Sequence, residues 1–134
     1  MLFRSLKSVA AIVSRLAAYY KCVVLATGEV DIISNGEETI GLCNGTPSMS
    51  RITGTGCMLS CMTASYMSVL EPFDAVMLAT SVLNISAEIA ENMVRGSNAG
   101  RNAFGLGTFK TALHDAVSFI RREDIVERVK LMKL

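Results

Sequence analysis

The sequence predicts an α/β fold in which helices cover a small sheet. Two observations lead to this prediction. A helical repeat of apolar residues over positions 5–20 runs directly into the short apolar segment 22–26, and two further β-type segments, joined by an Asn-Gly turn, precede several helical segments. The 134 residues, 51% of them hydrophobic, are enough for one domain with a buried core, so we treat residues 1–134 as a single domain, expected to be incomplete.

The first helix and strand are predicted from residues 5–20 and 22–26. The segment 22–26, "CVVLA", is almost continuously apolar, which favours a parallel strand covered on both faces. A lone parallel strand has nothing to pair with. We therefore expect this sheet to be part of a larger one.

A β-hairpin is predicted next, with strands at 30–34 and 39–43. The turn between them contains Asn35 and Gly36, a strong hairpin signal. Residues 44–47, "NGTP", end this unit as a turn.

Three helices are expected after the hairpin, over about 57–69, from about Pro72 to 95, and over 109–120. Pro72 suits the first turn of a helix, where its missing N–H is tolerated. A glycine-rich connection, 99–109, precedes the third helix, and a charged tail follows it. The segment 73–93 is the most apolar, but it contains Asp74, Asn84, Glu88 and Glu91, which favours a buried or amphipathic helix over a membrane span.

The charge balance excludes some functions. The net charge is +1, from thirteen basic and twelve acidic residues that are well mixed, so we expect neither nucleic-acid nor membrane binding. The basic, amphipathic N-terminus lacks the long apolar core of a secretory signal. A transit peptide is an alternative, although no cleavage linker separates this helix from the strand. We expect a cytoplasmic protein.

The four cysteines are Cys22, Cys43, Cys57 and Cys61. Cys57 and Cys61 would share a helical face, but two thiols and one remote histidine do not make a zinc site. The apolar neighbours of Cys22 and Cys61 predict small buried residues. A reducing compartment suits free thiols.

The stretch 51–60, "RITGTGCMLS", places two glycines at the start of a helical pattern. A helix N-terminus behind such a loop presents free N–H groups to an anion. The P-loop, the dinucleotide fingerprint and the nucleophile elbow all fail to match here. The anion-site hypothesis for Gly54, Thr55 and Gly56 therefore stands beside a simpler one, a tight turn that needs a positive φ.

Cys57 follows these glycines. The field of a helix N-terminus favours the thiolate, so Cys57 could take a proton from a substrate hydroxyl or orient that hydroxyl. The alternative is an inert buried thiol.

Three segments, "ATGEVDIISNG" (26–36), "NGTPSMSRITGTGCMLS" (44–60) and "GLGTFKTALHDA" (105–116), resemble the C-terminal half of the hydroxyethylthiazole kinase family, in the ribokinase-like superfamily. The resemblance spans about residues 5–120. It implies a three-layer α/β/α sheet, of which this chain would be a C-terminal partial domain with a β-hairpin and several helices.

The resemblance also implies an activity: a magnesium-dependent transferase that moves the γ-phosphoryl of ATP to the hydroxyl of 4-methyl-5-(2-hydroxyethyl)thiazole, in thiamine biosynthesis or salvage. By similarity, Thr27 would contact ATP and Gly54 would lie against the substrate. Thr55, Gly56 and Cys57 would build the anion hole, with Cys57 in the place of the catalytic aspartate of related kinases.

Two departures from the family pattern matter. Leu106 stands where the family usually has Pro. The family's N-terminal half, with the acidic residues associated with magnesium, has no counterpart, and Glu29 and Asp31 do not replace it, so the metal ligands are unknown.

The alternative function is a catalytically incompetent fragment that binds nucleotide or a partner. Family members form oligomers, typically trimers, so we expect a homo-oligomer or association with an N-terminal half.

Overall fold

The structure is a computed structural model that describes residues 2–97 and 104–134. Residues 99–103 of the predicted glycine-rich connection therefore lie outside the described residues. The described part contains five α-helices, four strands and one 3₁₀ helix. In chain order these are α1 (Leu2–Tyr20), β1 (Val24–Ala26), β2 (Asp31–Ser34), β3 (Thr39–Leu42), the 3₁₀ helix (Pro47–Arg51), α2 (Thr55–Tyr66), α3 (Pro72–Ser97), α4 (Leu106–Phe119), α5 (Arg122–Arg128) and β4 (Leu131–Lys133).

The described strands form one sheet in the order β1-β2-β3-β4, and every neighbouring pair is antiparallel. The predicted hairpin is confirmed, with Ser34 opposite Thr39 across the turn. The parallel orientation predicted for β1 is wrong within this chain. Only residues 27–30 separate β1 from β2, and so short a link returns the chain antiparallel, whereas a parallel return needs a long crossover.

The sheet is covered on both faces, as the three-layer prediction requires. Ile32 and Ile33 are both buried and, as neighbours on β2, point to opposite faces. Ile32 packs with Ala10 and Val13 of α1. Ile33 packs with Val76 of α3. β2 is buried along its whole length, while β1 is only half-buried.

Helix α3 is the central helix of the molecule. Its middle and C-terminal part packs against α4 in the main apolar cluster, where Leu83, Val94, Phe109 and Leu113 are buried. By length and composition, Pro72–Gly96 could cross a membrane, but 67% of its most apolar window is buried inside the protein. The core helix of a globular protein passes the same test, and the contacts of α3 are those of a core helix.

The predicted helices are present, with shifted ends. Pro72 is the first residue of α3, as expected. Leu106 is the first residue of α4, a position that favours Pro because the ring presets φ and no N–H is needed there. The charged tail, to which no helix or strand was assigned from the sequence, forms α5 and β4, and β4 extends the sheet beside β3.

The cysteine predictions are partly wrong. All four thiols are free, but Cys22 and Cys61 are exposed, not buried. Cys22 lies in the turn after α1, and Cys61 lies on an outer face of α2, a helix without a fully buried residue. Apolar neighbours in the sequence did not indicate that these two side chains face solvent.

Candidate functional site

A cleft of about 850 Å³ opens beside the loops at one end of the sheet. Four parts of the chain line it: the loop after β1, the segment after β3, the start of α2 and the middle of α3. Its lining residues are Thr27–Asp31, Cys43–Pro47, Met49, Ser50, Thr55, Gly56, Leu59, Leu83 and Asn84.

The loop after β1 is closed by a buried carboxylate. Asp31 begins β2, and its Oδ1 accepts a hydrogen bond from the Gly28 N–H at 2.9 Å. Thr27, Gly28 and Glu29 are exposed at the cleft. Asp31 therefore shapes the loop that presents Thr27 to the cleft.

Asn84 connects this loop to helix α3. Its buried side-chain amide donates to Asp31 Oδ2 at 2.6 Å and to the Asn44 carbonyl at 3.0 Å. Because a carboxylate buried away from water needs hydrogen-bond donors, Asn84 and Gly28 together make the burial of Asp31 tolerable. One amide thus ties both cleft loops to the central helix.

The segment after β3 is held by a second set of side-chain bonds. The Asn44 amide donates to Glu88 Oε1 at 3.1 Å and to the Arg128 carbonyl at 2.9 Å, while its Oδ1 accepts from the Lys130 N–H at 2.7 Å. Glu88 Oε1 also accepts from the Gly45 N–H at 2.9 Å. The backbone around Asn44 is therefore fixed by α3 on one side and by the C-terminal segment on the other.

A third contact lies one turn further along α3. The Thr46 hydroxyl donates to the Glu91 carboxylate, whose Oε1 is also 2.5 Å from Arg95 Nη2. Thr46 Oγ1 in turn accepts from the Ser48 N–H at 3.2 Å and caps the 3₁₀ helix. The polar residues of α3 thus fasten three consecutive residues of the cleft wall, 44–46.

The start of α2 carries the glycine loop for which an anion site was predicted. Gly54 is the N-cap, with φ at +105° and no side chain to cap the helix. The Met58 N–H makes the first helical bond, to the Gly54 carbonyl, at 2.9 Å. The N–H groups of residues 55–57 precede that bond, so helix geometry leaves them without intrahelical partners. The positive-φ turn is therefore present, while the anion site at this helix N-terminus stays a prediction.

The cleft gathers some of the predicted site residues. Thr27, Thr55 and Gly56 line it together. Gly54 and Cys57 flank Thr55 and Gly56 in sequence but are not among the lining residues, and the Cys57 thiol is exposed on the first turn of α2. The roles assigned to these five residues remain predictions.

The magnesium ligands, unknown from the sequence, are not identified among the described residues. No group of three His, Cys, Asp or Glu side chains converges within residues 2–97 and 104–134. Asp31 uses both oxygens for hydrogen bonds inside the protein, which leaves Glu29 as the exposed carboxylate of that loop.

Sequence reasoning missed the residues that build the cleft. Asn84, Glu88 and Glu91 appeared only as interruptions of an apolar segment. Their spacing of four and three residues places them on one face of a helix. A polar stripe on a largely buried helix indicates buried partners, and that signal was present in the sequence.

Comparison with known proteins assigns the chain to a family. The sequence profile of the hydroxyethylthiazole kinase family matches residues 4–123, and the chain belongs to this family. The structure of the hydroxyethylthiazole kinase protein from Pyrococcus horikoshii OT3 superposes on 97% of this chain with a TM-score of 0.86 and 27% sequence identity, and the chain covers 48% of that structure. The family and this superposition support the ribokinase-like α/β fold.

Curated relatives give the same assignment. "Hydroxyethylthiazole kinase 1" of Methanosphaera stadtmanae is 32% identical over 123 residues, which are 92% of this chain and 41% of that protein. The hydroxyethylthiazole kinase of Clostridium perfringens is 41% identical over 114 residues, which cover 82% of this chain and 41% of the relative. The chain thus spans less than half the length of these relatives.

The Asn84 contacts generate a stability prediction. Replacing Asn84 with Ala leaves the buried Asp31 carboxylate with one donor fewer, so we expect the free energy of unfolding to fall by about 2–4 kcal/mol. Chemical denaturation followed by circular dichroism measures this change.

Ser86→Ala is the matched control, since Ser86 lies two residues away on α3, is buried and has no hydrogen-bond partner for its hydroxyl among the described residues. We expect Ser86→Ala to be at least as stable as the parent, because the substitution removes a buried hydroxyl that has no partner. Equal losses in both variants would show that Asn84 contributes packing alone.

Proposed function

We propose that this chain provides the nucleotide-binding and anion-binding part of a kinase that transfers the γ-phosphoryl of ATP to the hydroxyl of 4-methyl-5-(2-hydroxyethyl)thiazole. Both curated relatives described above are named hydroxyethylthiazole kinases. The family match favours this activity over the alternative of a catalytically incompetent fragment.

One observation supports the proposal most. Thr27, expected to contact ATP, and the glycine-containing N-terminus of α2, expected to hold the anion, line the same cleft although 28 positions separate Thr27 from Thr55. The polar contacts of α3 hold both walls, so the cleft is preorganised. Phosphoryl transfer depends mainly on positioning and charge stabilisation, which suit such a cleft.

The proposed reaction needs little from the side chains. The substrate hydroxyl oxygen forms a bond to the γ-phosphorus while the bond to the bridging oxygen breaks and ADP leaves. The N–H groups at 55–57 would stabilise negative charge on the transferring group. We assign Cys57 to the hydroxyl, whose proton the thiolate would accept or whose orientation it would fix.

Magnesium is proposed only as the ion that accompanies ATP. Protein-bound Mg²⁺ usually keeps several waters and takes its other ligands from phosphates and one or two carboxylates. The described residues offer Glu29 at the cleft and no converging ligand set.

We also propose a cytoplasmic location, no nucleic-acid or membrane partner, and a homo-oligomer such as a trimer or an association with an N-terminal half.

The glycine loop generates the first test of this function. A Cβ built on Gly56 meets no atom within 4 Å, so Gly56→Val fits the fold and adds bulk at the cleft wall. We expect it to weaken binding of ATP at least tenfold in calorimetry, with helix content by circular dichroism unchanged.

Gly96→Val is the control, because Gly96 is also exposed and also has open space around its Cβ, but lies near the end of α3. Equal ATP affinity of the parent and Gly56→Val, or no ATP binding by the parent, would contradict an anion site at this loop.

Cys57 generates the second test. Cys57 and Cys61 are both exposed on α2, one turn apart. A difference in their rates of modification would therefore not come from a difference in solvent exposure. If Cys57 faces the substrate hydroxyl as proposed, iodoacetamide should modify Cys57 faster than Cys61 near neutral pH, and ATP or the thiazole should protect it. Peptide mass spectrometry measures both rates.

The catalytic role of Cys57 is tested by turnover, with this chain joined to the remaining part of the Pyrococcus horikoshii relative. A general base contributes about 10²–10⁴-fold, so Cys57→Ala should lower kcat by that factor and Cys57→Asp should retain more activity. Cys61→Ala should match the parent. Unchanged turnover in Cys57→Ala would contradict the assignment of Cys57 as the general base. The backbone N–H donors alone would then account for catalysis.

A further inference from the structure

The last residues of the described chain bind to a wall of the candidate cleft. Residues 128–134, which we call the C-terminal segment, run from the end of α5 along β3. Within this segment, Leu131–Lys133 form β4 and pair with residues 40–42 of β3. The family profile, which matches residues 4–123, does not include the C-terminal segment. Its contacts with the cleft therefore need an explanation of their own.

Asn44 connects the C-terminal segment to the cleft. Its buried side chain makes three hydrogen bonds, and two of them go to this segment. The amide donates to the Arg128 carbonyl, and Oδ1 accepts from the Lys130 N–H. The third bond goes from the amide to Glu88 of α3. Without the C-terminal segment, a buried amide loses two of its three partners, which opposes the present orientation of Asn44.

The main chain of the cleft wall is bonded to the same segment. The Cys43 N–H donates to the Lys130 carbonyl at 3.0 Å, next to the bond that the Lys130 N–H makes with Asn44. Cys43 and Asn44 both line the cleft, whereas the Lys130 side chain is exposed. Lys130 therefore contacts the wall through both of its backbone groups, and its side chain is not needed for these bonds.

The C-terminal segment also reaches the opposite wall of the cleft, through Met132. A Cβ built on Gly41 would lie 2.8 Å from Met132 Cγ and 3.1 Å from Val30 Cγ1. The side chains of Met132 and Val30 therefore lie next to each other over the Gly41 backbone. Val30 belongs to the loop that presents Thr27 to the cleft. One segment thus contacts both of the loops between which ATP is proposed to bind.

These contacts couple the C-terminal segment to a ligand in the cleft. Asn44 has its full set of partners only while the segment is bound, so the position of the wall at residues 43–47 depends on the segment. A ligand that needs this wall therefore favours the bound segment. By thermodynamic linkage, the bound segment raises the affinity for that ligand by the same factor. All of these contacts lie within the chain itself.

We propose that the C-terminal segment is a positioning element of the nucleotide cleft. Bound to Asn44 and β3, it keeps the wall at residues 43–47 in the form that binds ATP, and bound ATP in turn keeps the segment in place. This inference rests on the proposed function of the cleft as an ATP site. Lys130 is a positioning residue, because it acts on the nucleotide through Asn44.

The variant Lys130→Pro tests the proposal. It removes the N–H that binds Asn44 Oδ1 and keeps the carbonyl that binds the Cys43 N–H. The preceding residue, Val129, already has the φ of −61° and ψ of 130° that a following proline favours. We expect the affinity for ATP with magnesium to fall about fivefold in calorimetry, the usual effect of one hydrogen bond. The Gly45 N–H should exchange faster by a similar factor, with β2 exchange and far-UV circular dichroism unchanged.

Lys130→Ala is the matched control, because it keeps the N–H and removes only an exposed side chain. It should bind ATP like the parent. Equal ATP affinities in the two variants, or equal Gly45 exchange rates without ligand, would overturn the proposal. Loss of the parent's circular dichroism signal in Lys130→Pro would also overturn it, since the proposed effect is local. A parent that binds no ATP would contradict the proposed function, and the Gly45 rates would then decide whether the segment positions the wall.

The parent chain offers a second test that needs no variant. Saturating ATP with magnesium should slow hydrogen exchange of the Lys130 N–H, which binds Asn44. The Glu38 N–H, in the turn at the other end of β2, is the internal control and should not respond. A Lys130 N–H that ATP protects no more than the Glu38 N–H would show that the C-terminal segment and the cleft are not coupled.

Discussion

The structure depends on one buried carboxylate and the amide that accompanies it. Asp31 lies at the start of the most buried strand, where a charge without donors would strongly oppose folding. Its oxygens accept from the Gly28 N–H and the Asn84 amide, the latter 53 residues along the chain. The same amide also bonds the Asn44 carbonyl. Satisfying this one group therefore brings the first strand loop, the segment after the hairpin and helix α3 into a fixed arrangement.

That arrangement explains why the cleft lies where it does. The apolar side of α3 packs on the sheet and on α4, while Asn84, Glu88 and Glu91 turn a polar face towards the loops. Loop walls fixed to a helix are more rigid than loops that extend into solvent, and preorganised donors are what phosphoryl transfer requires. The family membership of the chain and the cleft geometry thus support the same proposed chemistry, with positioning as the main contribution of the described residues.

Signals from residues close together in the sequence were enough to predict the turns and helix ends that those same residues form. Asn35 and Gly36 predicted the hairpin turn, where Gly36 has a φ of +94° and Asn35 Oδ1 accepts two backbone N–H bonds. Pro72 predicted the start of α3. The orientation of β1 could not be read from its apolar composition, because the short link to β2 decides it. β4 forms only because β3 offers an edge, and the Asn84 contacts join residues far apart in sequence, so neither had a local pattern that favoured it.

Amide hydrogen exchange at Gly28 and Gly45 tests most directly whether buried side chains hold the cleft. Both N–H groups donate to carboxylates of the network, whereas the Glu37 and Glu38 N–H groups donate to Asn35 Oδ1 in an exposed turn. We expect Gly28 and Gly45 to exchange with protection close to that of β2, and the turn amides to exchange rapidly. Exchange of Gly28 and Gly45 as fast as the turn amides would contradict a cleft fixed by Asp31, Asn84 and Glu88.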